Sequence, residues 1–352
     1  PLHPLTFWTA PFTVKGRMKQ MFAYRTLRVQ EDIKRISQYA DQPKQKVLVS
    51  GSTGLIGMQL CAFLQAGGHH VTRLVRPTTV LPSDVIDEPC VVWDDRKGEV
   101  IEGSLEGFDT VIHLAGLGIG DKRWNAQRKE RIWSSRTVPT EHLVRLFATL
   151  EQPPKTFMCG SAVGFYGNRG DESLTESSSP GDDFLSEMCQ AWEAAGAPAQ
   201  GLGIRTVWLR TGLVTTPMGG ALEQLMLPTL LGAGGPAGGG RQYYPWISLH
   251  DHIYATYHLM MNDACDGPYN LTAPEPVTQK QYAKTLGKVL LRPWFAPAPG
   301  FVLKIVFGEL AQALVLSGQR ALPKRLQDSG FTFQHDHLEA CLRQCLGKQK
   351  LP

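Results

Sequence analysis

From Lys46 onward, apolar residues come in short runs separated by stretches with helical spacing. The runs are KVLVS, HHVTRLVR, CVVWDD, DTVIHLAG, TFMCGSA and RTVWLRTG, all of strand length. Between them lie GLIGMQLCAFLQAGG, which closes on glycine as helices often do, and the helix-patterned TVPTEHLVRLFATL. Strands alternating with helices predict an α/β fold built on a doubly wound parallel sheet. Ligands in such sheets bind beyond the carboxyl ends of the strands.

The flanks follow other patterns. Residues 1–44 are rich in Lys and Arg, and Val29, Ile33 and Ile36 fall at helical spacing, so this segment reads as a basic helical appendage or linker. Residues 45–215 form the expected sheet domain. After Val214 the chain turns glycine-rich (LLGAGGPAGGG) and then Pro-punctuated and helical. Residues 216–243 and 266–352 therefore read as a smaller, mostly helical substrate domain. Residues 244–265, with YYPWISLHDH and a helix N-capped by Asp251, return to the sheet domain. Thr278 and Gln281 predict a capping box opening QYAKTLGKVLL. The most apolar stretch, Phe301 to Leu316, is interrupted by Lys304, Glu309 and Gln312 and reads as a buried or amphipathic helix rather than a membrane span.

Composition narrows the function classes. Apolar residues make up 42% and charged residues 19%, which a chain with a real core can carry. A net charge of +4 is too small to argue for nucleic acid. The seven cysteines are scattered without a C-x-x-C pair, which argues against a zinc ribbon and fits the reduced thiols of a cytoplasmic protein. His250 and His252 flank Asp251 without a further ligand set, so no metal site is expected.

The chemistry-bearing motif is VSGSTGLIG. Gly51, Gly54 and Gly57 follow a strand and open a helix, the context a dinucleotide loop requires. Glycines there allow a tight turn and a close backbone approach to a pyrophosphate, and the helix N-terminus offers free N–H groups. The expected cofactor contacts are Gly51, Ser52, Thr53, Gly54, Leu55, Ile56 and Gly57 in the loop, Arg76 and Asp94 after the second and third strands, and Leu114, Ala115 and Gly116 after the fourth. The second strand ends in Arg76, with Arg73 earlier on it, where a site for NAD usually carries a carboxylate. An arginine pairs with a 2′-phosphate that a carboxylate would repel, so the expected cofactor is NADP(H).

GSTGLIG, HLAG and SAVGFYG resemble the extended short-chain dehydrogenase/reductases of the nucleotide-sugar epimerase type. RWNAQRKERIWSSR, FYGNRGDESLTESS, CQAWEAA, LRTGLV, GGALEQLMLPTLLGAGGP, PWISLHD and PYNLTAPEPVTQKQYA together resemble one branch, the epimerase-family proteins of the SDR39U type. The resemblance runs from about Lys46 to Gly347. It implies a Rossmann domain, an NADP(H) site and a small C-terminal domain acting on an unnamed small molecule. It also implies, for residues 1–44, the tail of a fused or interacting upstream START-like domain.

The wider superfamily uses a tyrosine, a lysine four residues later and a serine on the fifth strand. Anchored on Trp192-Glu193, the tyrosine position is Leu185 and the lysine position Cys189; Leu185 has no proton to exchange and Cys189 carries no fixed positive charge. The serine position falls on Ala162, with Ser161 beside it. Tyr166 and Ser161 are the nominated substitutes, one as a proton donor at the site's mouth, the other as a hydrogen-bond partner for a carbonyl. Glu172 and Glu176 are acid/base candidates only if buried, and His113 reads as a packed strand-end histidine. Arg123, Trp124, Arg136, Arg210, Arg241 and Trp246 are placed around one cleft as contacts for an anionic, partly flat ligand. Two readings follow: an NADP(H)-dependent oxidoreductase or epimerase with a rearranged catalytic set, or a silent NADP(H)-binding sensor or partner-binding module.

Overall fold

The computed structural model describes residues 4–349. In chain order the strands are β1 (Lys46–Ser50), β2 (His70–Val75), β3 (Cys90–Asp94), β4 (Glu99–Glu102), β5 (Thr110–His113), β6 (Thr156–Ala162), β7 (Ser173–Leu174), β8 (Arg205–Thr211), β9 (Leu213–Thr215), β10 (Tyr243–Tyr244), β11 (Trp246–Ser248), β12 (Gly267–Leu271), β13 (Val277–Thr278) and β14 (Arg320–Ala321). The helices are α1 (Pro4–Ser37), α2 (Leu55–Ala66), α3 (Ala126–Phe147), α4 (Phe184–Gly196), α5 (Pro198–Gly201), α6 (Gly220–Leu230), α7 (Leu249–Met261), α8 (Gln279–Leu290), α9 (Gly300–Phe307), α10 (Lys324–Asp328) and α11 (Leu338–Cys345).

Eight strands form the central sheet in the order β12-β8-β6-β5-β1-β2-β3-β4. All its pairings are parallel except β3–β4, an antiparallel hairpin that the sequence did not signal. The chain winds outward from β1 in both directions, so the loop after β1 opens into the crevice where strand order reverses. Alternation along β1 divides the core between the two faces. Val47 and Val49 pack with Leu60, Leu64 and Ile253 of α2 and α7. Leu48 packs on the other face with Leu143, Phe147 and Trp192 of α3 and α4. A separate core joins Tyr244, Trp246, Tyr282, Leu286, Leu338 and Leu342 in the C-terminal part.

Several boundaries differ from the expectation. β12 lies in the segment assigned to the C-terminal part, yet it is the edge strand of the central sheet, paired with β8. The N-cap of α7 is Ser248, not Asp251: the Ser248 hydroxyl accepts from the Asp251 amide at 2.9 Å and donates to the Asp251 carboxylate at 2.7 Å. The Thr278–Gln281 capping box forms as read. The apolar stretch Phe301 to Leu316 is not one buried helix. It breaks at Gly308 (φ +65°), and α9 buries none of its residues.

The basic N-terminal segment is one long helix laid against the sheet domain. Arg28 donates to the Tyr254 hydroxyl at 3.0 Å. Arg35 is buried over the rings of Tyr254 and Phe331, at 5.1 and 5.5 Å, and pairs with Glu31. Part of the segment's positive charge is thus used in docking α1 to the domain.

Candidate functional site

The glycine loop has the geometry of a phosphate cradle. Gly51 adopts φ +69°, and a Cβ there would sit 2.8 Å from the Ala115 amide nitrogen. A Cβ on Gly57 would lie 2.2 Å from the Gly51 carbonyl oxygen, which would push the helix off the strand. Where α3, α4, α7 and α8 are capped by Asn125, Asp183, Ser248 and Thr278, α2 starts at Gly54 with no side chain competing for its first amides. Those amides remain available to an anion, with the helix dipole behind them. The buried Ser52 hydroxyl has no hydrogen-bond partner within the protein. These residues fit a pyrophosphate: an orphaned hydroxyl, uncapped amides and a floor with no room for side chains.

Arg73 was read only as a companion of Arg76; the structure gives it a different position. It is buried, donates to the Ser52 carbonyl at 2.7 Å and pairs with Glu88 at 2.7 Å. It therefore fixes the loop from beneath and is not free for a ligand. The signal in the sequence was a charged residue inside an apolar strand. Arg76 is exposed beyond β2, and its guanidinium makes no hydrogen bond or ion pair among the described residues. Asp94 accepts from the Arg96 and Lys97 amides at 3.0 and 3.2 Å, closing the β3–β4 hairpin through one carboxylate oxygen. Leu114 and Ala115 lie against Gly51, while Gly116 covers the Arg136 guanidinium, with 3.2 Å between an added Cβ and Cζ.

The two residues that the resemblance aligns with the tyrosine and lysine positions are enclosed. Leu185 and Cys189 are buried in a cluster with Trp124, Ile132, Met188 and Leu310. Burial pushes the Cys189 thiol up to about 12, so it stays neutral. His113 is enclosed, holds the Ser50 hydroxyl at 2.6 Å, and is pushed down to about 4 by desolvation. It is a packed histidine, as its position suggested.

Tyr166 is not at the mouth of a site. It has no exposed surface; its hydroxyl donates to Asn270 Oδ1 at 2.7 Å and accepts from Arg210 at 3.0 Å. Burial raises it to about 12. Arg210 makes a two-pronged pair with Glu193, at 2.8 Å on each prong, and Ser161 donates to the same carboxylate at 2.7 Å. Tyr166, Ser161, Arg210, Glu193 and Asn270 thus form one closed polar network, satisfied from within. Glu193 and Asn270 were missed by sequence reasoning because only the fold brings them together. Glu176 is buried, but its oxygens accept from the Asn270 and Arg325 amides. Glu172 pairs with Arg169 on the surface.

The remaining expected substrate contacts do not share one cleft. Trp246 is buried in the C-terminal core, its indole N–H on the Glu275 carbonyl at 3.0 Å. Arg241 is exposed. Arg123 donates to the Ile305 carbonyl of α9 at 3.3 Å, and Trp124 to Ile119 at 2.9 Å. Arg136 alone stands beneath the loop after β5. An open cleft of about 420 Å³, lined by Asn125, Lys129, Trp133, Phe184 and Glu309 among others, opens beside Leu185.

With this geometry in view, residues 47–272 match the NAD dependent epimerase/dehydratase family, and residues 298–345 match a domain of unknown function, DUF1731. The chain belongs to the NAD-dependent epimerase/dehydratase family. Among the relatives of this epimerase-family protein, YfhF of Bacillus subtilis is 37% identical over 305 residues, which is 86% of this chain and 99% of that one. Human SDR39U1 is 33% identical over 302 residues, 85% of this chain and 99% of that one. Among solved structures, human SDR39U1 (isoform 2) with NADPH aligns at a TM-score of 0.77 with 32% identity, covering 85% of this chain and 98% of that one. A nucleoside-diphosphate sugar epimerase from Corynebacterium glutamicum aligns at 0.77 with 34% identity, covering 94% of this chain and 65% of that longer one.

Proposed function

We propose that this epimerase-family protein binds NADP(H) in the crevice after β1 and works on a small-molecule substrate without the tyrosine–lysine pair. The observation that carries the reading is the loop itself. Gly51, Gly54 and Gly57 keep side chains out of the loop's tightest points, α2 points uncapped amides into it, and the exposed Arg76 stands beyond the neighbouring strand with its guanidinium unpartnered among the described residues. Arg76 would pair with the 2′-phosphate and the loop amides with the pyrophosphate; the bound nicotinamide supplies the hydride chemistry. The human relative solved with NADPH supports the choice of phosphate-bearing cofactor. The chain's own part is to hold and orient the dinucleotide and to keep water from its reactive end through Trp124, Leu185 and Leu310.

The cleft bearing Trp133, Phe184 and Lys129 is the proposed approach for the substrate, with Arg123 and the loop 117–124 forming its roof against α9. Apolar side chains on α1, Met18, Met21 and Phe22, face solvent and suit cover by an upstream or interacting domain. A second reading, a protein that binds NADP(H) without turnover, is favoured by the enclosure of Tyr166 and Ser161 in a network that leaves neither free.

The test begins with purified protein and NADPH. Arg76→Glu is expected to weaken NADPH by about one to two decades while leaving NADH little changed. Equal effects on the two cofactors would remove Arg76 from the site. NADPH-loaded protein is then offered nucleotide sugars, quinones and aldehydes while the reduced-nicotinamide absorbance is followed. Turnover supports the enzyme; tight binding with no oxidation across the panel supports the silent reading.

A further inference from the structure

Four arginines in the described chain are deeply buried: Arg35, Arg73, Arg136 and Arg210. Three have a carboxylate within 3 Å: Glu31, Glu88 and Glu193 respectively. Arg136 has none among the described residues. It is 6% exposed, and its guanidinium donates only to the Ile132 and Leu117 carbonyls, each at 3.0 Å, and to the Ser135 hydroxyl at 3.3 Å. Its Nε–H has no partner.

Nothing else near it offsets the charge. Arg128 on the same helix is a like charge, and the Cys189 thiol, facing it from α4, is neutral. The Trp192 ring, 5.2 Å away, is the one electron-rich surface it touches. Burial lowers Arg136 to about 10, so it remains a cation at neutral pH. An uncompensated buried cation is costly and exerts its field over a long range, because little water screens it.

Its place in the fold gives that field a target. The glycine loop lies at the crossover of strand order, so a dinucleotide on it spreads one nucleoside toward β2 and β3 and the other toward β5 and β6. With the phosphate-bearing nucleoside on Arg76, the nicotinamide end falls on the β5–β6 side, beyond Gly116 and Ala162. Arg136 lies there, directly beneath Gly116. An oxidised nicotinamide ring carries a positive charge and a reduced ring none, while the phosphates are the same in both.

We propose that the unpaired Arg136 guanidinium sets the redox form of the cofactor that this protein holds, repelling the cationic oxidised ring and so favouring NADPH over NADP⁺. The inference rests on the NADP(H) reading above. Arg136 is here a charge-discriminating residue and does not exchange protons. Two like unit charges separated by about 10 Å, at an effective dielectric of about 20, repel enough to give a preference of roughly tenfold.

Isothermal titration with NADPH and NADP⁺ reads this without turnover. The native protein is expected to bind NADPH about tenfold more tightly than NADP⁺. Arg136→Met should bring the two affinities within about threefold, chiefly by strengthening NADP⁺, and Arg136→Lys should keep most of the preference because it keeps the charge. A ratio near one in the native protein overturns the proposal whether or not the variants fold. So does an unchanged ratio in a folded Arg136→Met, which would make Arg136 only a staple for the Leu117 carbonyl. Failure of the native protein to bind either form removes the NADP(H) reading itself and is distinct from both.

Discussion

Tyr166→Phe separates a structural tyrosine from a catalytic one. The substitution removes one oxygen from a residue with no exposed surface. Two contacts go with it: the donation to Asn270 Oδ1 at 2.7 Å and the acceptance from Arg210 at 3.0 Å. Asn270 Oδ1 is left in a dry interior, whereas Arg210 keeps its two bonds to Glu193. One orphaned neutral acceptor plus one lost charge-assisted bond cost about 2–3 kcal/mol. For a chain of 352 residues, unfolding entropy converts this to a drop in Tm of about 3–4 °C. Calorimetry on native protein and variant measures the drop, and an NADPH titration on the same samples should be unchanged within about twofold, since no Tyr166 atom is available to a ligand. The reasoning is refuted if Tm moves by less than about 1 °C while NADPH oxidation by an accepted substrate is abolished. Tyr166 would then be a proton donor, and the closed network would have to open in solution.

Gly57→Ala places a methyl 2.2 Å from the Gly51 carbonyl oxygen, against backbone that has no rotamer to yield. It is expected to lower stability by about 1–3 kcal/mol and to weaken NADPH binding more than tenfold, read by thermal melting and titration; unchanged binding would mean the loop does not form the floor of the site. Acid should destabilise the protein through its enclosed histidines. His113 and His252 are both pushed down to about 4 by burial. The unfolded chain takes up their protons below about pH 6.5, whereas the folded one does not, so stability is full above that pH and falls as pH drops toward 4. The loss is about 2 kcal/mol for each histidine by about pH 5. Urea midpoints from about pH 7.5 to about pH 5 follow it, and a flat profile would show that these rings protonate in place.

The parts of the fold that carry periodic signals could be read from the sequence. β1, β2, β5, β6 and β8 each show an apolar run, and the glycine spacing fixed the loop after β1. The β3–β4 hairpin could not be read, because the largely exposed EVIE has little of the alternation that marks a strand. β12 (GPYNL) was assigned to the wrong part because a single short strand does not reveal its neighbour. In the site, residue type alone shows that Leu185 carries no exchangeable proton and Cys189 no fixed positive charge. The roles of Tyr166 and Ser161 were not legible. Whether a hydroxyl faces a ligand or a carboxylate depends on Glu193 and Asn270, which reach it only across α4 and β12. Arg73 and Arg136 are alike as letters; their different roles come from Glu88, which one has and the other lacks.

The C-terminal segment is held to the loop after β5 and the start of α3 by Arg123 on the Ile305 carbonyl, by the 2.8 Å Lys129–Glu309 pair and by Leu310 packed on Trp124. It also pairs β14 with β7. The two family matches that divide this chain in sequence therefore share a wall in space. A graft that exchanged residues 298–345 between relatives would have to carry residues 117–133 with it, or leave the roof of the cleft open to solvent. The boundary between the two matches is a boundary in sequence and does not mark parts that can be exchanged.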